Sequence, residues 1–202
     1  MTTIKAVIFD HGGVLTRGGE SGTNQKICSK AMGLADVIVI PELNEALKVG
    51  EISPIEFIEQ INALYPDAPQ PLTDAVWDDI YATLVRDVGA YEFAERVRRA
   101  GFRVGMLSSI NVPMATRLQD DGSYDGFSPI ILSCYQGVAK PDPAVFASVE
   151  FHLGGEILPE EILFLDDQEK HCASARRSGW NVIRVDSTEQ MVRDASALLG
   201  LS

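Results

Sequence analysis

Residues 6–13 read Ala6-Val7-Ile8-Phe9-Asp10-His11-Gly12-Gly13: four apolar residues run straight into a carboxylate, a histidine and two glycines. A short apolar run bounded by turn residues is the pattern of a buried strand. A carboxylate has no reason to end such a strand unless something there uses it. The glycines beyond it permit a sharp turn and the close approach of a ligand to the backbone. The pattern returns far along the chain, where Ile162-Leu163-Phe164-Leu165 ends in Asp166-Asp167. Two such strand ends would meet at one edge of a parallel sheet, where α/β proteins place their ligands.

Outward from these strands the chain divides into two patterns. Residues 23–88 read as helical, with no alternation of strand and helix. Ser53-Pro54, with Glu56 following, starts one helix through an N-cap and a proline at the first position. The stretch 66–71 is a break, and Val76, Ile80 and Leu84 give helical spacing over 74–85. From Tyr91 the alternation begins. Helices are expected over 92–100 (stopped by Gly101), 114–119, 143–152 and 172–178. Strands are expected over 102–107, 130–133, 162–165 and 182–185. Together these predict an α/β fold: a doubly wound parallel sheet (core residues 1–16 and 89–202) with an inserted helical cap (17–88). Gly18-Gly19 and Gly89 flank the insertion and are candidate hinges.

Composition narrows the function. The chain has 202 residues and a net charge of −12, which supplies no basic stripe for tracking phosphates, so nucleic-acid binding is not expected. An anionic substrate would need local positive charge from a metal or a placed lysine. Cys28, Cys134 and Cys172 are odd in number and scattered, which fits a reducing compartment better than a disulfide framework. The first strand begins too early for a signal peptide, and no apolar stretch approaches the ~20 residues of a membrane span. A cytoplasmic protein without membrane contact is expected; oligomeric state is not legible.

Four signals stand in chain order: Asp10, Ser108, Lys140 and Asp166-Asp167. With them the chain resembles the haloacid dehalogenase-like (HAD) hydrolase superfamily, in its phosphatase-like branch with a small helical cap. Phe9-Asp10-His11-Gly12-Gly13-Val14-Leu15-Thr16 is similar to the first motif of that family, and Met106-Leu107-Ser108-Ser109 to the second. Lys140-Pro141 is similar to the third, and Phe164-Leu165-Asp166-Asp167 to the fourth. Gly50-Glu51-Ile52-Ser53 resembles part of the cap. Any one motif is weak, since a lone strand-terminal Asp or Ser is commonly a helix cap and Lys140 before a proline is commonly a solvated loop residue. The ordered set is specific.

The chemistry accounts for these residue types. Phosphoryl transfer needs an in-line nucleophile and neutralisation of charge on the transferring oxygens. Asp10 suits the nucleophile, forming an aspartyl-phosphate. Mg²⁺ takes oxygen ligands, often one or two carboxylates with phosphate and water. Asp10 and Asp167 fit that, and the resemblance implies the Gly12 carbonyl as a third protein ligand. Asp166 is either a further ligand or an outer partner orienting water and Lys140. Lys140 would neutralise nucleophile and phosphate, with Ser108, Ser109 and nearby amides holding phosphate oxygens. His11 is read as structural or substrate-contacting, and His171, where relatives often carry Asn, as a helix cap. Trp77 and Trp180 are expected to pack.

One departure matters. The resemblance implies a second aspartate two residues after the nucleophile, acting as general acid and base, and here that position is Gly12. Such catalysis typically contributes 10²–10⁴-fold. The expected function is therefore a Mg²⁺-dependent phosphatase of small phosphorylated metabolites, sugar phosphates among them. The alternatives are a phospholigand-binding scaffold with little or no turnover and, less favoured, a metal-independent 2-haloacid dehalogenase, which would have no use for Asp166-Asp167.

Overall fold

The computed structural model describes residues 3–18, 23–36 and 41–201. Its centre is a five-stranded parallel sheet built from β1 (Ala6–Phe9), β4 (Arg103–Ser108), β5 (Ile130–Leu132), β6 (Ile162–Asp166) and β7 (Asn181–Arg184), in the order β5-β4-β1-β6-β7. The two strands that end in aspartate are neighbours, with Phe9 opposite Leu165. The sheet is doubly wound, and alternate residues of each strand feed opposite layers. Val7, Phe9, Leu163 and Leu165 enter one apolar cluster, while Ala6, Ile8, Ile162 and Phe164 enter the other. This two-sided burial is why the central strands read as unbroken apolar runs. In the second layer Trp180 packs edge-on against Phe146 and Phe164 and donates its indole N–H to Glu150.

The remaining core elements are α5 (Val88–Arg99), α6 (Val112–Asp120), α7 (Ser133–Gln136), α8 (Pro143–Leu153), a 3₁₀ turn (Pro159–Glu161), α9 (Glu169–Arg177) and α10 (Thr188–Leu199). The segment expected to form the cap carries α1 (Thr23–Met32), α2 (Pro41–Lys48), α3 (Pro54–Leu64) and α4 (Val76–Tyr81). At α3 the expected start is fully formed: the Ser53 hydroxyl accepts from the Glu56 amide, and the Glu56 carboxylate accepts from the Ser53 amide. The cap has its own apolar cluster, including Met32, Phe57, Ile61 and Trp77, into which α6 of the core inserts Met114. Among the described residues, no helix is long and apolar enough to cross a membrane.

Several sequence expectations shift. The helix expected over 74–85 stops at Tyr81, because the next residues turn and Val85–Arg86 form β3, antiparallel to β2 (Thr16–Arg17). At the turn the Thr83 hydroxyl bonds the Ile80 carbonyl, and Gly18, at φ +87°, lies against the Thr83 carbonyl. The region expected to be free of strands thus contains half of a two-stranded neck. Ser133 belongs to α7 rather than to β5. Helix α5 starts earlier than expected because Asp87 caps it through the Ala90 amide, which puts Gly89 in the helix's first turn. Gly19, the other candidate hinge, lies outside the described residues.

Candidate active site

The first turn after β1 is tied by its own backbone. His11 O accepts from the amides of Leu15 and Thr16, and the Gly13 amide donates to Thr16 O. The Gly12 carbonyl takes none of these bonds. Asp10 is anchored through its amide to Leu165 O on β6, and its Oδ1 accepts from the His11 amide at 2.7 Å. The nucleophile candidate is therefore fixed at both backbone and side chain.

Lys140 reaches this point from the loop after α7. Its ammonium stands 2.7 Å from Asp10 Oδ1 and 2.7 Å from Asp166 Oδ2, with the lysine side chain only 1% exposed. The loop is positioned by its amide, which donates to the Ser109 hydroxyl. Asp166 is closed to other ligands by its partners. Besides Lys140 it accepts from the Gln168 amide at 2.8 Å, and His171 Nδ1 lies 3.1 Å from both carboxylate oxygens. His171 is thus a partner of Asp166 inside α9, not a helix cap. Neither Gln168 nor His171 was assigned this contact from sequence. The spacing Asp166, Gln168, His171 at the head of a helix is the signal that could have found it.

Asp167 is placed differently. Its carboxylate presses on Gly13, where a Cβ would stand 2.6 Å from the carboxylate carbon; Gly13 has φ +80°, so only glycine suits the position. Asp167 Oδ1 is buried without a hydrogen-bond partner among the described residues. A buried carboxylate oxygen left unpaired costs free energy unless something fills the gap.

Asp10, Gly12, Ser108, Lys140, Asp167 and His171 line a single cleft of about 660 Å³ between core and cap. Ser108, at the end of β4, is buried at its floor, and Ser109 lines the wall. The cap side contributes Asn24, Lys48, Ile80 and Leu84. His11 also borders the cleft, but its ring packs edge-on against Tyr124, Nδ1 lies against the Thr16 hydroxyl, and Nε2 is buried without a partner among the described residues. Burial lowers His11 to about 4, so its ring is neutral at pH 7.

Charge accounts for what this cluster requires. Three carboxylates face one ammonium. Burial pushes Asp10 well above its usual range, Lys140 pulls it back, and Asp166 and Asp167 push it further up. Burial and Asp166 likewise raise Asp167. At Asp166 burial is outweighed by Lys140 and His171, and the carboxyl is held low. Oxygen ligands of Asp10, Asp166 and the His171 ring lie within 4.8 Å of one another. Of these, Asp166 and His171 already bond each other, so a divalent cation fits better beside them, where it would pair the Asp167 oxygen left without a partner among the described residues, keep Asp10 ionised and meet the Gly12 carbonyl.

Comparison with known proteins shows the family. The family described as haloacid dehalogenase-like hydrolase matches residues 4–179. A phosphatase of Mycobacterium tuberculosis is 32% identical over 110 residues, covering 52% of this chain and 50% of its own length. A sesquiterpene phosphatase of Aspergillus oryzae is 26% identical over 181 residues, 88% of each chain. The chain spans half or less of the length of the first curated relatives it matches. Among solved structures, a HAD family enzyme from Bacteroides thetaiotaomicron, in complex with magnesium and inorganic phosphate, superposes with a TM-score of 0.74. It is 22% identical, and the match covers 90% of this chain and 93% of that one.

Proposed function

The chain belongs to the haloacid dehalogenase-like hydrolases, and from that premise we propose that it is a Mg²⁺-dependent phosphatase of small phosphorylated metabolites, working through an aspartyl-phosphate on Asp10. The observation that carries this reading is the pairing of a fixed Asp10 with an Asp167 oxygen left without a partner among the described residues, across one cleft floored by Lys140 and Ser108. The phosphatases among the relatives and the magnesium and phosphate in the Bacteroides enzyme support it.

An Asp10 oxygen attacks phosphorus, the bond from phosphorus to the leaving oxygen breaks, and the leaving group takes a proton from solvent. Water then attacks the same phosphorus, releasing inorganic phosphate and restoring the Asp10 carboxylate. Asp10, Asp167 and the Gly12 carbonyl would hold Mg²⁺, which supplies charge neutralisation on the phosphoryl oxygens. Asp166 has the orienting role, because its oxygens are already taken by Lys140, Gln168 and His171. Lys140 neutralises the nucleophile and the incoming phosphate, while Ser108 and the amides beyond it hold phosphate oxygens. The cap, drawn at residues 17–88, closes the cleft against bulk water and selects the leaving group.

The test is phosphate release from a panel of sugar and other metabolite phosphates, with Mg²⁺ and with chelator. Mg²⁺-stimulated release that vanishes in Asp10→Asn is expected; equal rates for the two proteins would end this reading. Gly12 supports a second one, a phospholigand-binding scaffold of low turnover, since the general acid is missing from its position. Ligand-induced thermal stabilisation with no phosphate released would favour it.

A further inference from the structure

Among the described residues three cations line the cleft: Arg17, Lys48 and Lys140. Two are committed to structure. Lys140 is locked between Asp10 and Asp166. Arg17 donates Nε to Asp87 and Nη2 to the Thr188 hydroxyl, with a longer contact to Gly13 O. Lys48 differs. Among the described residues its ammonium meets only Glu45, one turn back on its own helix, in a pair whose side chains are 35% and 62% exposed. Exposed pairs of this kind are worth little and exchange readily for another anion.

The backbone that carries Lys48 is, by contrast, held firmly. Ser133, fully buried, donates its hydroxyl to Lys48 O at 2.7 Å and accepts from the Ile110 amide at 2.9 Å. Ile110 follows Ser108-Ser109 directly, so one hydroxyl ties this cap residue to the loop that would hold phosphate. Two residues on, Gly50 lies so close to Cys134 O that a Cβ there would stand 2.4 Å from it. Lys48 lines the cleft with an anchored backbone and a weakly held head, so in a chain of net charge −12 an ammonium that leaves Glu45 is within reach of an anion there.

We propose that Lys48 is a specificity-determining residue, and that the preferred substrates carry a second anionic group, such as a carboxylate, at the end remote from the phosphoryl group. This rests on the phosphatase reading and names its substrate class. Ser133 is the positioning residue that sets Lys48 against the phosphate loop.

A matched pair of probes tests it: 3-phosphoglycerate and glycerol 3-phosphate, which differ in a carboxylate against a hydroxymethyl group at the far end. Wild type should favour the acid, and Lys48→Met should lower the ratio of kcat/KM, acid over alcohol, fivefold or more, chiefly through KM. Lys48→Arg, which keeps the charge, should retain the preference. Wild type that favours the alcohol or ignores the acid, or a ratio that falls less than fivefold, overturns the proposal. Calorimetric binding of 3-phosphoglycerate to Asp10→Asn separates the two readings. Fivefold weaker binding on adding Lys48→Met supports Lys48 even if no turnover is found in wild type, an outcome that would sink the phosphatase reading alone. Turnover of both esters at an unchanged ratio sinks the Lys48 role alone.

Discussion

The edge of the sheet and the helical cap face the same cleft, but they are built on different physics. At the edge, Asp10, Lys140 and Asp166 are nearly or fully buried and each fixes another at hydrogen-bond distance, on strands that are themselves core. The cap meets the core through Met114, an Arg117–Asp78 ion pair with a well-exposed aspartate, the Ser133 hydroxyl and a short neck of two-residue strands. The first arrangement permits one geometry. The second tolerates change at modest cost. On the function proposed above, chemistry would reside in the rigid half and choice of substrate in the adaptable one, which is how sites on a fixed scaffold generally divide their labour.

Substitutions at the two regions should therefore differ in size as well as kind. The largest effect is expected at Asp10: its replacement by Asn should lower turnover on the order of 10³-fold or more, because the nucleophile itself is lost. Steady-state phosphate release measures this, and residual activity within tenfold of wild type would move the nucleophile elsewhere. Next comes Asp166→Leu, which leaves the Lys140 ammonium with one fewer partner in a buried site. Removing one member of such a pair costs about 3–5 kcal/mol, read as a lowered urea midpoint at unchanged slope. A cost below about 1 kcal/mol would show that the edge is no stiffer than the cap.

Gly12 sharpens the contrast from another direction. A Cβ at this position would meet nothing within 4 Å, and its φ is not in the left-handed region. The backbone thus accepts a Cβ at the position where the resemblance implies an aspartate. Gly12→Asp should raise kcat on alkyl phosphates by about tenfold or more, toward the range of general acid–base catalysis. An unchanged kcat would mean that proton donation to the leaving group does not limit the rate.

The smallest effect belongs to the neck. Burial pushes the Asp87 carboxyl up, but hydrogen bonds from Thr188, the Ala90 amide and Arg17 prevail and hold it below its ordinary value. A carboxylate lowered on folding stabilises the protein above its unfolded pKa, and that contribution is lost as pH falls through the folded value. Asp87→Asn keeps a side-chain oxygen to cap α5 but loses the charge that Arg17 and Thr188 meet, so it should cost about 1 kcal/mol or less at pH 7, and its melting curve should converge with wild type in acid. Equal differences at pH 7 and in acid would assign the effect to shape rather than charge.

This division also decided what could be read from the sequence. The strands next to the site, residues 6–9 and 162–165, were legible because burial on both faces leaves a run of apolar residues no other use, and the aspartates that end them stand out against it. The cap was legible only as a helical pattern. Its neck strands, Thr16–Arg17 and Val85–Arg86, are two residues long, far too short to show a period of two. The contacts that hold the site were hidden for a different reason. Ser133 to Lys48 joins single polar groups far apart in the chain, and nothing local distinguishes such a serine from a helix cap, whereas His171 to Asp166 spans five residues and was marked only by its spacing at the head of α9.

The most direct measurement traps the enzyme during turnover. Acid quenching followed by borohydride reduction converts an acyl phosphate to the alcohol, and peptide mass spectrometry locates it. Homoserine at position 10, dependent on substrate and on Mg²⁺, is the expected result. Active enzyme with an unmodified Asp10, or with the reduced residue at Asp166 or Asp167, would contradict the assignment of Asp10 as the group that takes the phosphoryl.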